Sequence, residues 1–539
     1  MKKISLFIFL SWVITAFAFG QNDRQIFNLK PGWNAIYLEV QPNQNKISEV
    51  FEGIPVISVW KWNNSKASIE LIQDPNELVP EQKEWNTYFK DKPSFMTNLF
   101  TINGGNCYLL KINGNEDVVL TISGKPVLPK IKWISDSFNL VGFHLEPGNE
   151  PLFKRFFDYS PSHKDQTIYR LIENKWEIIQ NPDSTQMKSG EAFWVYCNGG
   201  PSEFVGPLKI ELEQYDELDF GQNLLEQKIH ITNLSNDSNL TFKNMGNIPF
   251  KYWVPITVDN PGWNELPNIK TFSMTDDKYL SLRISVDRSK MNSFKRSASS
   301  NSSLIEVTDD NGMRLRFISK ASQNDYKGLW VGHVIVNKVD ENSQKYSPSP
   351  TDSELQFRII IHVDEDENVN LLKEVTQMWD SNNSKYVLVT DYSKLHNYSG
   401  AALRNGELVG RRISSVIFGF DGIKKMEGEF GFDGVLNTHI DIHPSHPTNP
   451  YYHKFHPDHN NLDEDYVSYK QESFHISRTI TLKFIDSDPD FSKENSIGWG
   501  DTVLGGKYEE IIHGLHKDSI QVEGSFRIQK VSSISQIIN

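Results

Sequence analysis

The chain has 539 residues, 38% hydrophobic and 23% charged, enough apolar side chain to fill roughly three to five separate cores. A net charge of −14 and a pI near 5.6 exclude a nucleic-acid partner, which would require stripes of Lys and Arg. Two cysteines so far apart in sequence, Cys107 and Cys197, exclude a disulfide scaffold; one bridge is allowed, and two buried thiols are the expectation.

In chain order, Lys2 and Lys3 precede an uncharged apolar run from Ile4 to Phe19, closed by small residues around Ala16, Ala18 and Gly20. That pattern predicts a secretory signal peptide over 1–20, too short for a bilayer span and followed by no stop-transfer pattern. The mature protein is expected to have no membrane span and to be secreted, periplasmic or at the cell surface.

Next comes an internal duplication. PGWNAIYLEVQP at 31–42 and DSFNLVGFHLEP at 136–147 both open a strand on an aromatic-Asn pair, Trp33-Asn34 and Phe138-Asn139, and end on an acidic residue before Pro42 or Pro147. Each predicts a following amphipathic helix, ISEVFEG at 47–53 and PLFKRFFDYS at 151–160, the second with Leu152, Phe153, Phe156 and Phe157 on one face. A further strand follows, VISVWKW at 56–62 or TIYRLI at 167–172, and a Gly-led strand closes each module, GGNCYLLKI from 104 or SGEAFWVY from 189. The reading is two tandem β-rich modules, 21–128 and 129–212.

From 213 the apolar residues alternate with period two, as in Ile229 and Ile231 or Leu355, Phe357, Ile359, Ile361 and Val363, which predicts strands with one buried face. With Asn/Asp/Gly/Ser turns between them, 213–380 reads as an immunoglobulin-like β-sandwich. The Ser/Asn-rich run 289–303 is the expected mobile loop. Strand patterns at Ile476/Ile480/Leu482/Phe484 and Ile520/Val522/Phe526/Ile528 define a C-terminal β domain over 381–539, interrupted by a polar Pro/His/Asp/Asn segment at 437–466. The whole is mainly β and multidomain.

Catalytic and nucleotide-binding signatures are absent: no Gly-Lys-Ser/Thr phosphate loop, HExxH, GxSxG, CxxC or GxGxxG. Asp364-x-Asp366-x-Asn368 and Asp486-x-Asp488-x-Asp490 lack the Gly at position 6 and the acid at position 12 of a calcium loop, so both read as solvated turns. Trp60 and Trp62, at i and i+2, raise a carbohydrate-binding reading; recurrence of Trp33 and Trp60 as Phe138 and Tyr169 in the second module favours core packing. Six of the fifteen histidines fall between His439 and His459. If 438–443 is extended, His439, Asp441 and His443 project to one side, and His456 and His459 can fold back to complete a metal site, for which zinc suits imidazole plus carboxylate. The competing reading is a rigid, polar turn-rich loop in which His-Pro steps set the corners.

PGWNAIYLEVQP, SVWKW, SFNLVGFHLEP, SGEAFWVYCNG, GRRISSVIFGF, YHKFHPDHNNLD and GWGDTVLGGKYEEIIHGLHKDSIQVEGSFRI resemble segments of large uncharacterised secreted proteins of environmental bacteria, such as verrucomicrobia and planctomycetes. There, similar modules accompany laminin-G-like or other β-sandwich domains. The resemblance covers both tandem modules and most of the C-terminal region, and HPDH at His456–His459 matches its pattern; it implies no activity. The functional expectation is a secreted, non-catalytic binding or assembly protein whose partner is a polysaccharide or an envelope protein. The alternative is a metal-dependent enzyme centred on 439–459.

Overall fold

Period-two alternation dominates the chain, and the computed structural model is accordingly a multidomain β protein with several sheets and a closed barrel. It describes residues 23–63, 84–214, 216–235, 238–255, 258, 261–274, 279–291, 300–340, 348–400, 402–404, 407–409, 411–415, 419–420, 423–443, 446–447, 449, 475–488, 496–515 and 518–539. The expected signal peptide and residues 292–299 of the expected mobile loop lie outside them. Among the described residues no helix is long and apolar enough to cross a membrane. Packing divides the chain into two compact units: residues up to Trp253 with Leu266–Ile284 and Ser300–Ala321, and Val254–Glu265 with Ser285–Ser299 and Ser322–Asn539.

In the first unit, β1 (Asp23–Leu29), β2 (Gly32–Tyr37), β3 (Val40–Pro42), α1 (Ile47–Val50), β4 (Val56–Trp62), β5 (Trp85–Phe89), β6 (Cys107–Ile112) and β7 (Val118–Pro126) form the first module. The second consists of β8 (Ser137–Gly142), α2 (Phe153–Phe157), β9 (Ile168–Ile172), β10 (Lys175–Ile178) and β11 (Ala192–Cys197). Strand order is β2-β6-β4-β5 in one and β8-β11-β9-β10 in the other, so corresponding sequence segments occupy corresponding places. PGWNAIY pairs with the Gly-led strand of its module, Ala35 opposite Leu109, as SFNLVG does with Val195 opposite Asn139.

The helices are shorter than the apolar spacing predicts, four and five residues, because so short a segment gains few helical hydrogen bonds for the cost of nucleation and survives only by packing. Phe153, Phe156 and Phe157 are buried as expected, but Leu152 precedes the helix in extended backbone and is exposed. The two module sheets share one aromatic cluster containing Trp33, Trp60, Trp85, Leu109, Leu140 and Trp194. Trp60 meets Trp85 edge-on at 6.0 Å, and Trp62 meets Trp194 at 5.0 Å, geometries that suit the ring quadrupoles. Burial of Trp33 and Trp60 is thus the core role expected of them.

A buried charge network lies behind these sheets. Glu39 accepts hydrogen bonds from Arg314 at 3.3 Å, Arg316 at 3.1 Å and Ser189 at 3.3 Å, while Arg316 also pairs with Asp23. His144 Nε2 lies 3.1 Å from the Tyr37 hydroxyl. Burial, reinforced by Arg316 and Arg314, pushes its pKa down to about 3, so the ring is neutral.

Two five-stranded sheets form the sandwich. Leu208–Leu212, Glu226–Asn233, Tyr279–Val286 and Phe250–Val254 are successive neighbours in one, and Arg314–Ser322, Ser300–Asp309, Asn239–Asn244 and Ile269–Ser273 in the other. Ile210, Ile229, Ile231, Leu240, Phe242, Ile305, Val307, Leu315 and Phe317 are buried there.

In the second unit, eight antiparallel strands close a barrel in chain order: Gly328–Asp340, Ser349–Val363, Val369–Leu372, Ile423–Gly428, Val435–Ile442, Ile476–Phe484, Val503–His513 and Ile520–Ser532. The first three were expected in the sandwich. They belong to the barrel because alternation specifies one buried face without specifying which sheet supplies the opposite one. Leu355 is exposed, whereas Ile360 and His362 are buried along with Ile359 and Ile361, so this strand is covered on both faces at one end and neither at the other. The barrel interior includes Leu436, Ile440, Ile480, Leu482, Leu504, Phe526 and Ile528. Polar Asn437, His439 and Asp441 alternate outward, the reverse of the pattern of a membrane-spanning barrel.

The Asp364 turn forms as expected, its Oδ1 accepting from the backbone of Asp366 at 2.9 Å and Asn368 at 2.8 Å. The Asp486 run is not a solvated turn throughout: Asp488 is buried, receiving Arg527 at 2.8 Å and the Ser496 hydroxyl at 2.6 Å. An acidic residue pulled beneath an arginine is indistinguishable by spacing from one facing water. Cys107 and Cys197 are both free and buried.

Candidate functional site

Where the tandem modules meet, the chain leaves a polar cleft of about 650 Å³, within the ~300–1,000 Å³ usual for ligand sites. One wall is the end of the β4–β5 pair. The register sets Lys61 opposite Asn86 and Trp62 opposite Trp85, and Lys61, Trp62, Asn63 and Asn86 all line the cleft.

A second wall is the loop Gly104–Cys107, whose shape follows from its hydrogen bonds. Gly104 N–H donates to Gln41 Oε1 at 3.1 Å, Gly105 N–H donates to Leu38 O at 2.7 Å, and Asn106 Nδ2 donates to Gly104 O at 2.9 Å. Gly105 has a left-handed φ of 72°, which only glycine adopts without strain. The far wall is Asn139–Gly142 of β8 together with Val127, Leu128, residues 130–132 and Asp216. A Cβ on Gly142 would sit 2.3 Å from the Tyr37 side chain, so glycine is what permits the modules to approach this closely.

Some of the polar lining is committed to structure. Asn139 bonds Ile134 on both its amide oxygen and nitrogen, and Lys130 pairs with Asp216 at 2.7 Å. Other groups are not: among the described residues the Lys61 ammonium, the Trp62 indole N–H and the Asn86 carboxamide have no hydrogen-bonding or ionic partner. Partial burial lowers the Lys61 pKa; the nearby Cys107 acts weakly in the other direction. The Cys107 thiol is pushed far up by burial, which keeps it protonated and a poor nucleophile. The cleft can therefore bind, by stacking, amide hydrogen bonding and charge. Its described lining residues include no adjacent nucleophile and base arranged for covalent or acid–base catalysis.

The sequence reading did not single out Lys61, Asn86, Asn106 or Lys132. The available signal was in SVWKW, where a lysine sits between two aromatic residues of one strand.

The sequence-predicted histidine site lies elsewhere, on the barrel exterior. His439 and Asp441 project outward from Val435–Ile442, and His443 is exposed just beyond it. His439 Nε2 is 3.1 Å from Asp441 Oδ1, and its Nδ1 is 3.1 Å from the Thr479 hydroxyl. His475, which sequence reasoning missed, brings Nε2 to 3.4 Å from the same Asp441 oxygen. Because His475 leads into the strand paired with Val435–Ile442, adjacency in the sheet was the cue. His456 and His459 lie outside the described residues. Among the described residues no group of three or more His, Cys, Asp or Glu side chains is arranged to hold a metal ion.

Comparison with protein-family models and with curated proteins finds no match. A solved structure described as a structural-genomics protein of unknown function from Bacteroides ovatus aligns with 58% of this chain and 90% of its own, at 10% identity. Its TM-score of 0.14 carries no argument about fold or function, and the chain is assigned to no family.

Proposed function

We propose that this chain is a secreted or cell-surface, non-catalytic binding protein that takes a segment of polysaccharide into the cleft between its tandem modules. The observation that carries this reading is that the Trp62 indole and the uncommitted Asn86 carboxamide line the same cleft. A pyranose presents a C–H face that packs on an indole and hydroxyls that pair with a planar amide. Among the described lining residues no nucleophile sits beside a base, which favours binding over turnover.

The test is calorimetric titration of the mature protein with a panel of soluble oligosaccharides, comparing wild type with Trp62→Ala and Asn86→Ala. Each variant is expected to weaken binding by about tenfold or more, the scale of an interface hot spot, with thermal unfolding used to verify that both stay folded. Oligosaccharides that bind wild type and both variants alike, or none of them, would refute the reading. An envelope protein as partner would instead give protein–protein capture insensitive to both substitutions. The metal-dependent enzyme alternative depends on residues of 439–459 that lie mostly outside the described chain.

A further inference from the structure

We propose that the ligand of this cleft is acidic, and that Lys61 is the residue that pairs with a carboxylate or sulfate carried on the glycan. The inference rests on the binding reading above and names its ligand class.

The first support is charge. Although the chain has a net charge of −14, the described residues of this cleft include three lysines, Lys61, Lys130 and Lys132, and a single aspartate, Asp216. The aspartate is already taken: it lies 2.7 Å from Lys130 and so is not the counter-ion of Lys61.

The second support is the state of Lys61. Its side chain is half-buried, and among the described residues no carboxylate lies within ion-pair distance of it. Withdrawing an ammonium from water without a counter-ion is costly, so in the empty protein this position works against folding. A bound anion would offset that cost, and the resulting pair would form in a partly desolvated site, where Coulomb attraction is stronger than in bulk water.

The third support is placement. Lys61 stands opposite Asn86 in the β4–β5 register, with Trp62 as the next residue. Cross-strand partners share a face, so one acidic sugar residue could meet Lys61 with its acid group and Asn86 with its hydroxyls, and the Trp62 indole lines the same cleft for a further part of the glycan. The direction of the Lys61 pKa adds a check. Burial lowers it, and an anion bound beside it would raise it again, so binding at alkaline pH should be accompanied by proton uptake.

The experiment titrates full-length mature protein with four hexasaccharides: hexagalacturonate, which carries carboxylates; a κ-carrageenan hexamer, which carries sulfates; and the neutral cellohexaose and maltohexaose. Poly-L-glutamate serves as an acidic competitor that is not a glycan. At least one acidic hexamer is expected to bind about tenfold or more tighter than either neutral one. Raising NaCl from about 50 to about 500 mM should erode that advantage.

Lys61→Met, which keeps the side-chain stem and removes the charge, is expected to abolish the preference for the acidic hexamer. Lys61→Arg should restore most of it. Folding is not at issue for Lys61→Met, because replacing a half-buried unpaired cation with an apolar side chain relieves a cost. Neutral and acidic hexamers binding equally well, or Lys61→Met retaining the acidic preference, would overturn the acidic assignment while leaving the cleft as a glycan site. Equal competition by poly-L-glutamate would overturn the glycan in favour of an acidic peptide, and failure of every probe would overturn both readings.

Discussion

Glu39→Gln tests whether the buried charges of the first unit hold it together. Glu39 is 1% exposed and serves Arg314 and Arg316 at once, with Asp23 as the other anion beside them. The buried Nε–H groups of both arginines have no acceptor among the described residues, so the network has no spare capacity. Glutamine keeps the shape and removes the charge, which strands guanidinium charge in a low-dielectric interior. Deleting one member of a buried pair costs about 3–5 kcal/mol. At ~2–4 °C per kcal/mol that lowers the transition of this unit by roughly 6–20 °C.

Differential scanning calorimetry of the full chain gives the shift, and hydrogen exchange along β3, β7 and Arg314–Ser322 localises it. Adding Arg314→Met to Glu39→Gln should recover part of the loss, because it removes a cation that Glu39 no longer balances. The reasoning is refuted if Glu39→Gln costs less than about 1 kcal/mol, or if the two substitutions are simply additive, since a shared buried network predicts neither.

Further outcomes follow from features already described. His144 is held neutral with its pKa near 3, whereas the unfolded chain binds a proton there near pH ~6.5. Stability from this group is therefore complete above pH ~6.5 and is lost as pH falls toward ~3, with a slope of up to about 1.4 kcal/mol per pH unit. Melting curves over that range should flatten in His144→Gln, and an unchanged slope would remove His144 as the cause. Gly332→Ala would place a Cβ 1.8 Å from the Arg527 carbonyl oxygen, across the contact between the first and last barrel strands, so urea unfolding should show severe loss of barrel stability. Wild-type stability in that variant would show that the seam can spread. Cys107 and Cys197 are buried with raised pKa values, so a thiol reagent at mildly alkaline pH should label neither until the chain is unfolded, and fast labelling of the native protein would contradict their burial.

Local repetition was the most legible property of the sequence. The aromatic-Asn openings at Trp33-Asn34 and Phe138-Asn139 announced two modules, and the same strand order recurs in both sheets. Period-two alternation likewise marked Ile476–Phe484 and Ile520–Ser532 as strands with a buried face. Which strands associate was not legible: Gly328–Val363 has the same alternation whether it joins a sandwich or a barrel, and closure depends on Ile520–Ser532 far along the chain. The cleft was less legible still. Lys61, Asn86 and Gly142 are unremarkable residues one at a time and acquire a role only when β4, β5 and β8 are brought together. The histidine run drew attention by composition, yet the partner that the fold supplies to Asp441 is His475, reached through strand pairing.

The barrel seam has a consequence for how the chain acquires its structure. Seven of its strands can add to one another through contacts between chain neighbours, but Val331 must find Gln529 before the cylinder exists. Until Ile520–Ser532 has emerged from the ribosome, the growing sheet keeps two unpaired edges and an uncovered apolar face, the features that invite aggregation. Long-range closure of this kind is slow, because loop entropy is spent before any contact repays it. The first unit has no such dependence on Ile520–Ser532 and can be in place while the barrel is still an open sheet, which makes barrel closure the step at which a holding chaperone would matter.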